Sequence, residues 1–115
     1  MKNILTIANH RALVTYDPST DMLRGEFLGL NGGADFCAQD IATLKAEGAK
    51  SLDAFLQVCE ENNIDPIRHF SGRFNARISP ELHARAVEAA AAQSISLNQL
   101  IENAIEHEIA LAVNA

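Results

Sequence analysis

The chain has 115 residues and a mass of 12.4 kDa, near the commonest size for one domain yet enough for two very small ones. Its 48% apolar and 21% charged residues exclude a chain too polar to offset its own conformational entropy. Nine Lys and Arg against fifteen Asp and Glu give a net charge of -6, which excludes the broad basic surface of a sequence-blind nucleic-acid binder but not a local basic stripe.

No uninterrupted apolar run approaches the roughly 18–20 residues of a membrane span. The opening MKNILTIANHRALV has neither a long apolar stretch nor a small-residue cleavage site. No signal peptide and no membrane contact are therefore expected, and the expected setting is the bacterial cytoplasm. Cys37 and Cys59 have no second Cys and no His at metal-ligand spacing, so they read as reduced, mostly buried thiols, with no metal and no cofactor.

In chain order, Ile4–Ile7 opens a β-like stretch, and Ala12, Val14 and Tyr16 alternate with Leu13 and Thr15. Asp17-Pro18-Ser19-Thr20-Asp21 is dense in turn formers, and Leu23–Leu30 returns with Leu23 and Phe27 on one face. This pattern predicts a β-hairpin. Asn31-Gly32-Gly33 is a second turn, with a short strand expected around Ala34–Cys37. From Asp40, a plausible N-cap, the period changes: Ile41, Leu44, Gly48, Leu52, Phe55 and Cys59 step by three and four, one stripe of a helix. Gly48 predicts either a break near Ser51 or a close backbone contact. Asn62-Asn63 and Pro66 stop the helix, and 63–71 reads as a linker. Leu23, Phe27, Val14 or Leu13, and the Ile41–Cys59 stripe form the expected core of residues 1–62.

Residues 72–113 change character. Gly72-Arg73-Phe74-Asn75-Ala76-Arg77-Ile78 alternates between polar and apolar, and Ser79-Pro80 is an N-cap followed by Pro at the first helical position. An Ala-rich helix follows, with Leu82, Ala86 and Ala89 or Ala90 on one face. Ser94-Ile95 makes a turn, and Ser96 caps a second helix with Leu97, Leu100, Ile101, Ala104, Ile105 and Ile109 inward. A lone seven-residue strand beside two small helices needs a pairing partner, and the simplest is its copy in a second chain. The paired ribbon would turn Phe74, Ala76 and Ile78 onto the helices, with Leu82, Leu97, Ile101 and Ile105 completing the dimer core. Its other face would carry Arg73, Asn75 and Arg77. A two-stranded ribbon fits the major groove, where Arg pairs bidentately with guanine and Asn with adenine.

GRFNARISPELHARAVEAAAAQSISLNQLIENAI resembles the ribbon-helix-helix DNA-binding module across about 40 residues. With FLQVCEENNIDPIRHFSGRFNARISPELH and the earlier Tyr16-Asp17, Gly25-Glu26 and Gly29-Leu30, the chain is similar to HicB-type antitoxins. The resemblance implies an N-terminal α+β domain that binds and inhibits a small basic RNA-cleaving toxin of the HicA kind, and a tail that binds the operon's own promoter. It implies base contacts from Arg73, Asn75 and Arg77. It also implies a phosphate held at the second helix start by Ser96 and the N–H groups of Leu97 and Asn98. Ser94 stands where such modules often carry Gly for a left-handed turn.

Other patterns carry less. Asp17, Asp21 and Glu26 flank a hairpin as a metal-dependent nuclease site would, but turn chemistry already accounts for both aspartates. His10, His69, His83 and His107 have no nucleophile at a suggestive spacing, and Gly48-Ala49-Lys50-Ser51 lacks the adjacency of a phosphate loop. No enzyme is expected. The expected architecture is α+β. A small antiparallel sheet packed on a helix occupies 1–62, a linker 63–71, and a ribbon-helix-helix 72–115 that pairs into a homodimer or higher even oligomer on operator double-stranded DNA. The alternative is a stand-alone dimeric regulator whose N-terminal domain senses a ligand or only oligomerises.

Overall fold

A computed structural model describes residues 2–113. The chain divides into two compact units, Asn3–Ser71 and a second made by the residues from Gly72 onward.

In the first unit β1 (Ile4–Ile7), β2 (His10–Asp17), β3 (Met22–Phe27) and β4 (Asp35–Ala38) form an antiparallel sheet in the order β1-β2-β3-β4. The hairpin register pairs Ala12 with Phe27, Val14 with Gly25 and Tyr16 with Leu23, which places all six on one face. The β2–β3 turn closes as its composition predicts. The Asp17 carboxylate accepts hydrogen bonds from Ser19 N at 3.0 Å and Ser19 Oγ at 2.7 Å, and Asp21 accepts from the Tyr16 hydroxyl at 2.7 Å.

Helix α1 (Ile41–Glu61) runs unbroken and packs against the sheet. Asp40 caps it by accepting from Thr43 N at 2.7 Å. Gly48 is the close contact rather than a break, because a Cβ there would meet Ile7 Cδ1 at 2.6 Å. The core joins Ile7, Ala12, Phe27, Leu30, Ala34, Phe36 and Ala38 of the sheet layer to Leu44 and Leu52 of α1.

The choice between Val14 and Leu13 falls to Val14, which packs against the core, while Leu13 is on the opposite face because it pairs with Ile4 and Glu26 one residue out of phase with Ala12. Two expectations need correction. Ile41 opens α1 at 45% exposure, outside the core. Cys37 is exposed and only Cys59 is buried, because alternation along β4 turns Phe36 and Ala38 inward and Cys37 out.

Residues 63–71 also differ from a free linker. Asn63 takes the left-handed region at φ 54°, and the chain then runs back along the end of β3. Ile67 bridges Leu30, Asn31 N donates to the Pro66 carbonyl at 2.8 Å, and Arg68 N donates to the Gly29 carbonyl at 2.9 Å. The Asp65 side chain holds this return by accepting from Ile67 N at 3.0 Å and pairing with His69 Nε2 at 2.6 Å. The segment is part of the first unit.

The second unit contains α2 (Pro80–Ala92) and α3 (Leu97–Val113), packed on each other. Ser79 Oγ accepts from Leu82 N at 3.2 Å, and Pro80 occupies the first turn, where its missing N–H costs nothing. Among the described residues of this unit only Ala90 is buried. Helices of 13 and 17 residues that bury one alanine between them lack a core of their own.

Candidate nucleic-acid interface

The segment 72–78 precedes α2 and is exposed throughout, with no strand pairing in the single chain. A strand is defined by a partner, so an isolated alternating segment is irregular by necessity. Gly72, at φ 84°, turns the chain into it, a conformation glycine adopts without steric cost. Arg73, Asn75 and Arg77 are exposed, as are Phe74, Ala76 and Ile78 between them.

Alongside α3 the segment encloses a groove. Phe74, Ala76, Ile101 and Ile105 supply its apolar lining, and Arg73, Asn75, Asn98, Glu102 and Glu106 its polar lining. The single chain therefore does not sort the segment into two faces: Arg73 and Asn75 border the same groove as Phe74, and Arg77 lies outside it. None of the seven residues expected in the dimer core is buried. Phe74 is 69% exposed, Ile78 50%, Leu82 49%, Ile101 43% and Ile105 40%, Ala76 is exposed and Leu97 half-buried.

At the start of α3, Ser96 Oγ accepts from Gln99 N at 3.0 Å and the Ser96 carbonyl accepts from Leu100 N at 3.0 Å. The N–H groups of Leu97 and Asn98, in the first turn, have no acceptor within the helix and point to its positive end. That geometry is open to an anion. Ser94 sits at φ 58°, the left-handed turn that its position between the helices requires.

The sequence reading missed two features. One is the Asp65–His69 clip, whose only signal was spacing by four residues. His69 hydrogen bonding and the Ile67 N–H hold the Asp65 carboxyl below its ordinary range. The other is the Arg68 guanidinium, 5.1 Å from the Phe70 ring centroid, which gives this otherwise 75% exposed ring a cationic cover. Among the described residues no group of three or more His, Cys, Asp or Glu is placed to hold a metal ion, and no helix is long and apolar enough to cross a membrane.

These elements define an α+β unit followed by a helix pair with an unsatisfied apolar surface. The HicB family model matches residues 55–105, from the second half of α1 through the first half of α3. The match supports a HicB-type protein, related to toxin–antitoxin systems. No curated protein and no solved structure matches the chain.

Proposed function

We propose that the chain is an antitoxin. In this reading residues 3–71 bind and neutralise a small basic RNA-cleaving toxin of the HicA kind. Residues from 72 onward pair as a ribbon-helix-helix dimer that represses its own operon. The protein is a binding module rather than an enzyme, and it acts in the cytoplasm, where both operator DNA and the toxin's RNA substrates lie.

The observation that carries the reading is the apolar surface of the second unit. Phe74, Ile78, Leu82, Ile101 and Ile105 are all at least 40% exposed in one chain. Exposing this much apolar side chain on a unit this small is unfavourable in water. A second copy removes it: antiparallel pairing of 72–78 about a two-fold axis brings two such stripes together. The same pairing puts two sets of Arg73, Asn75 and Arg77 on one ribbon face, sized for the major groove. The α3 start, with Ser96, Leu97 and Asn98, then flanks the ribbon as a phosphate clamp. Residues 3–71 carry five basic and ten acidic side chains, which suits a basic partner and repels DNA.

The test separates the two tasks in the full chain. Replacing Arg73 or Arg77 by Ala removes two base contacts per dimer, at about 1–3 kcal/mol each, so operator affinity falls by roughly 2–6 kcal/mol. Growth rescue on toxin induction remains intact. Unchanged operator affinity would remove the ribbon from the reading. Loss of repression without any toxin for the chain to neutralise would leave a stand-alone regulator.

A further inference from the structure

We propose that Arg68, stacked on Phe70, is a DNA-backbone contact: a guanidinium of the first unit that holds a phosphate beside the ribbon's site. It positions the ribbon and reads no sequence. The proposal rests on the ribbon reading and adds to it a contact from outside the second unit.

Local structure prepares the guanidinium. The Arg68 backbone is anchored to the sheet, since its N–H donates to the Gly29 carbonyl at 2.9 Å beside the Leu30–Ile67 bridge. The guanidinium carbon lies 5.1 Å from the centroid of the Phe70 ring. Phe70 is 75% exposed and joins no core, so stacking is the contact that employs it. A guanidinium stacked on a ring commits its face, while its N–H groups lie in the plane and stay available. Those donors suit phosphate oxygens, which a guanidinium can bind bidentately.

Charge selects the occupant. Among the described residues the ion pairs are Arg24–Asp35, Lys50–Glu47 and His69–Asp65, and Arg68 enters none of them. Asp65, three residues before it, is turned onto Ile67 N at 3.0 Å and His69 Nε2 at 2.6 Å. From Pro66 to Pro80 the chain has no Asp or Glu, and it carries Arg68, Arg73 and Arg77. Three of the nine cations of a chain with net charge -6 thus lie in one acid-free stretch. The first unit otherwise repels DNA, so a phosphate meets least opposing charge here.

Reach is set by the chain. Five residues separate Arg68 from Arg73, which keeps their Cα atoms within about 18 Å in any arrangement of the two units. The major groove is about 12 Å wide, so a ribbon seated in it leaves Arg68 close enough for the phosphates that border the groove. In an antiparallel ribbon the two strand starts lie at opposite ends. The two copies of Arg68 therefore take phosphates at both ends of the site.

The experiment measures operator binding by the full chain as a function of salt. Arg68→Ala removes two phosphate contacts per dimer, so the slope of log affinity against log salt is expected to fall in magnitude by about 1.8. Affinity for the operator and for unrelated DNA should drop by the same factor, whereas Arg73→Ala loses the preference for the operator. Arg68→Lys keeps the slope. Phe70→Leu keeps the slope and weakens binding several-fold, because the guanidinium is no longer oriented. Lys45→Ala, an exposed cation on α1, leaves both readouts unchanged. Circular dichroism verifies that each variant folds. A parent that binds the operator while Arg68→Ala retains its slope overturns the contact and leaves the ribbon standing. An equal fall in slope for Lys45→Ala overturns it too, in favour of a diffuse field. Arg68→Ala that binds DNA normally but no longer retains the protein encoded beside it assigns the pair to a protein partner instead. A parent that binds no operator overturns both readings.

Discussion

Phe36 and Gly48 meet across the sheet–helix interface with no room between them for a side chain. A Cβ on Gly48 would lie 2.9 Å from Phe36 Cε2 and 2.6 Å from Ile7 Cδ1. The same ring closes on the sheet, where a Cβ on Gly25 would stand 2.2 Å from it. Phe36 is thus held by two glycines, one on its neighbouring strand and one on α1, and it also packs against Phe27 with ring centroids 5.1 Å apart.

This geometry predicts an order of stabilities. Gly48→Ala gains about 1 kcal/mol of helix propensity but overpacks a core at a cost of about 1–3 kcal/mol, so it destabilises on balance. Gly25→Ala has the closer approach and no helical gain, and loses more. Pairing either change with Phe36→Leu relieves the overlap, so the double variants are more stable than the sum of the single losses predicts. Urea denaturation of the parent, the three single variants and the two double variants measures this. A Gly25→Ala variant as stable as the parent would contradict the packing.

Much of the first unit is legible in the sequence because its signals are local. Asp40, the three-and-four stepping after it and Asn62-Asn63 bound α1, and the turn formers at 17–21 bound the hairpin. The errors arise where tertiary contacts decide. Leu13 and Val14 are equally apolar, and only the register with Glu26 and Gly25 assigns one to each face. Ala12, Ala34 and Ala38 carry too little apolar surface to announce a core position, yet all three are buried. The return of 65–68 along Gly29–Asn31 is made by backbone hydrogen bonds, which leave no periodicity in the side chains. In the second unit the helices and their Ser79 and Ser96 caps are legible, whereas the alternating segment 72–78, which the side-chain pattern predicts as a strand, is irregular in one chain.

Ser94 holds φ 58° between α2 and α3, a region that costs a residue with a Cβ about 1–2 kcal/mol. Ser94→Gly is expected to stabilise the second unit by up to about 1 kcal/mol, after allowance for glycine's greater freedom when unfolded. Asn63→Gly, at φ 54°, changes stability less, because Asn tolerates the left-handed region. Thermal denaturation of the two variants compares them; a fall in the Ser94→Gly midpoint would show that the serine makes a compensating contact.

Asp40 predicts an acid dependence. Its carboxylate is held below the ordinary range, first by the Thr43 backbone N–H and then by the Thr43 hydroxyl. A carboxylate with a depressed folded pKa stabilises fully above its unfolded pKa, and that stabilisation disappears as pH falls through the folded value. Asp40→Asn keeps a cap that does not titrate. The gap in urea midpoint between the parent and Asp40→Asn is therefore expected to be constant from pH 7 to pH 5 and to shift toward the variant on further acidification. A gap independent of pH down to 2 would mean that the cap is not ionic.

Ile101 tests the paired state directly. It stands 43% exposed on α3 in the single chain and lines the groove beside Phe74. On a monomer, Ile101→Glu is a surface change, with an effect within about 0.5 kcal/mol. In a two-fold dimer it buries two carboxylates without partners, a change that disrupts the interface. The parent protein is expected to scatter light as a dimer or higher even oligomer at micromolar concentration, and its second unit should melt at a temperature that rises with concentration. Ile101→Glu should reduce the mass to 12.4 kDa and abolish operator binding, since one chain presents only one set of Arg73, Asn75 and Arg77. The first unit, whose core of Ile7, Phe27, Phe36, Leu44 and Leu52 is made without α3, should keep its own melting transition. A parent that is already 12.4 kDa, or a variant that still assembles and binds DNA, would refute the paired ribbon.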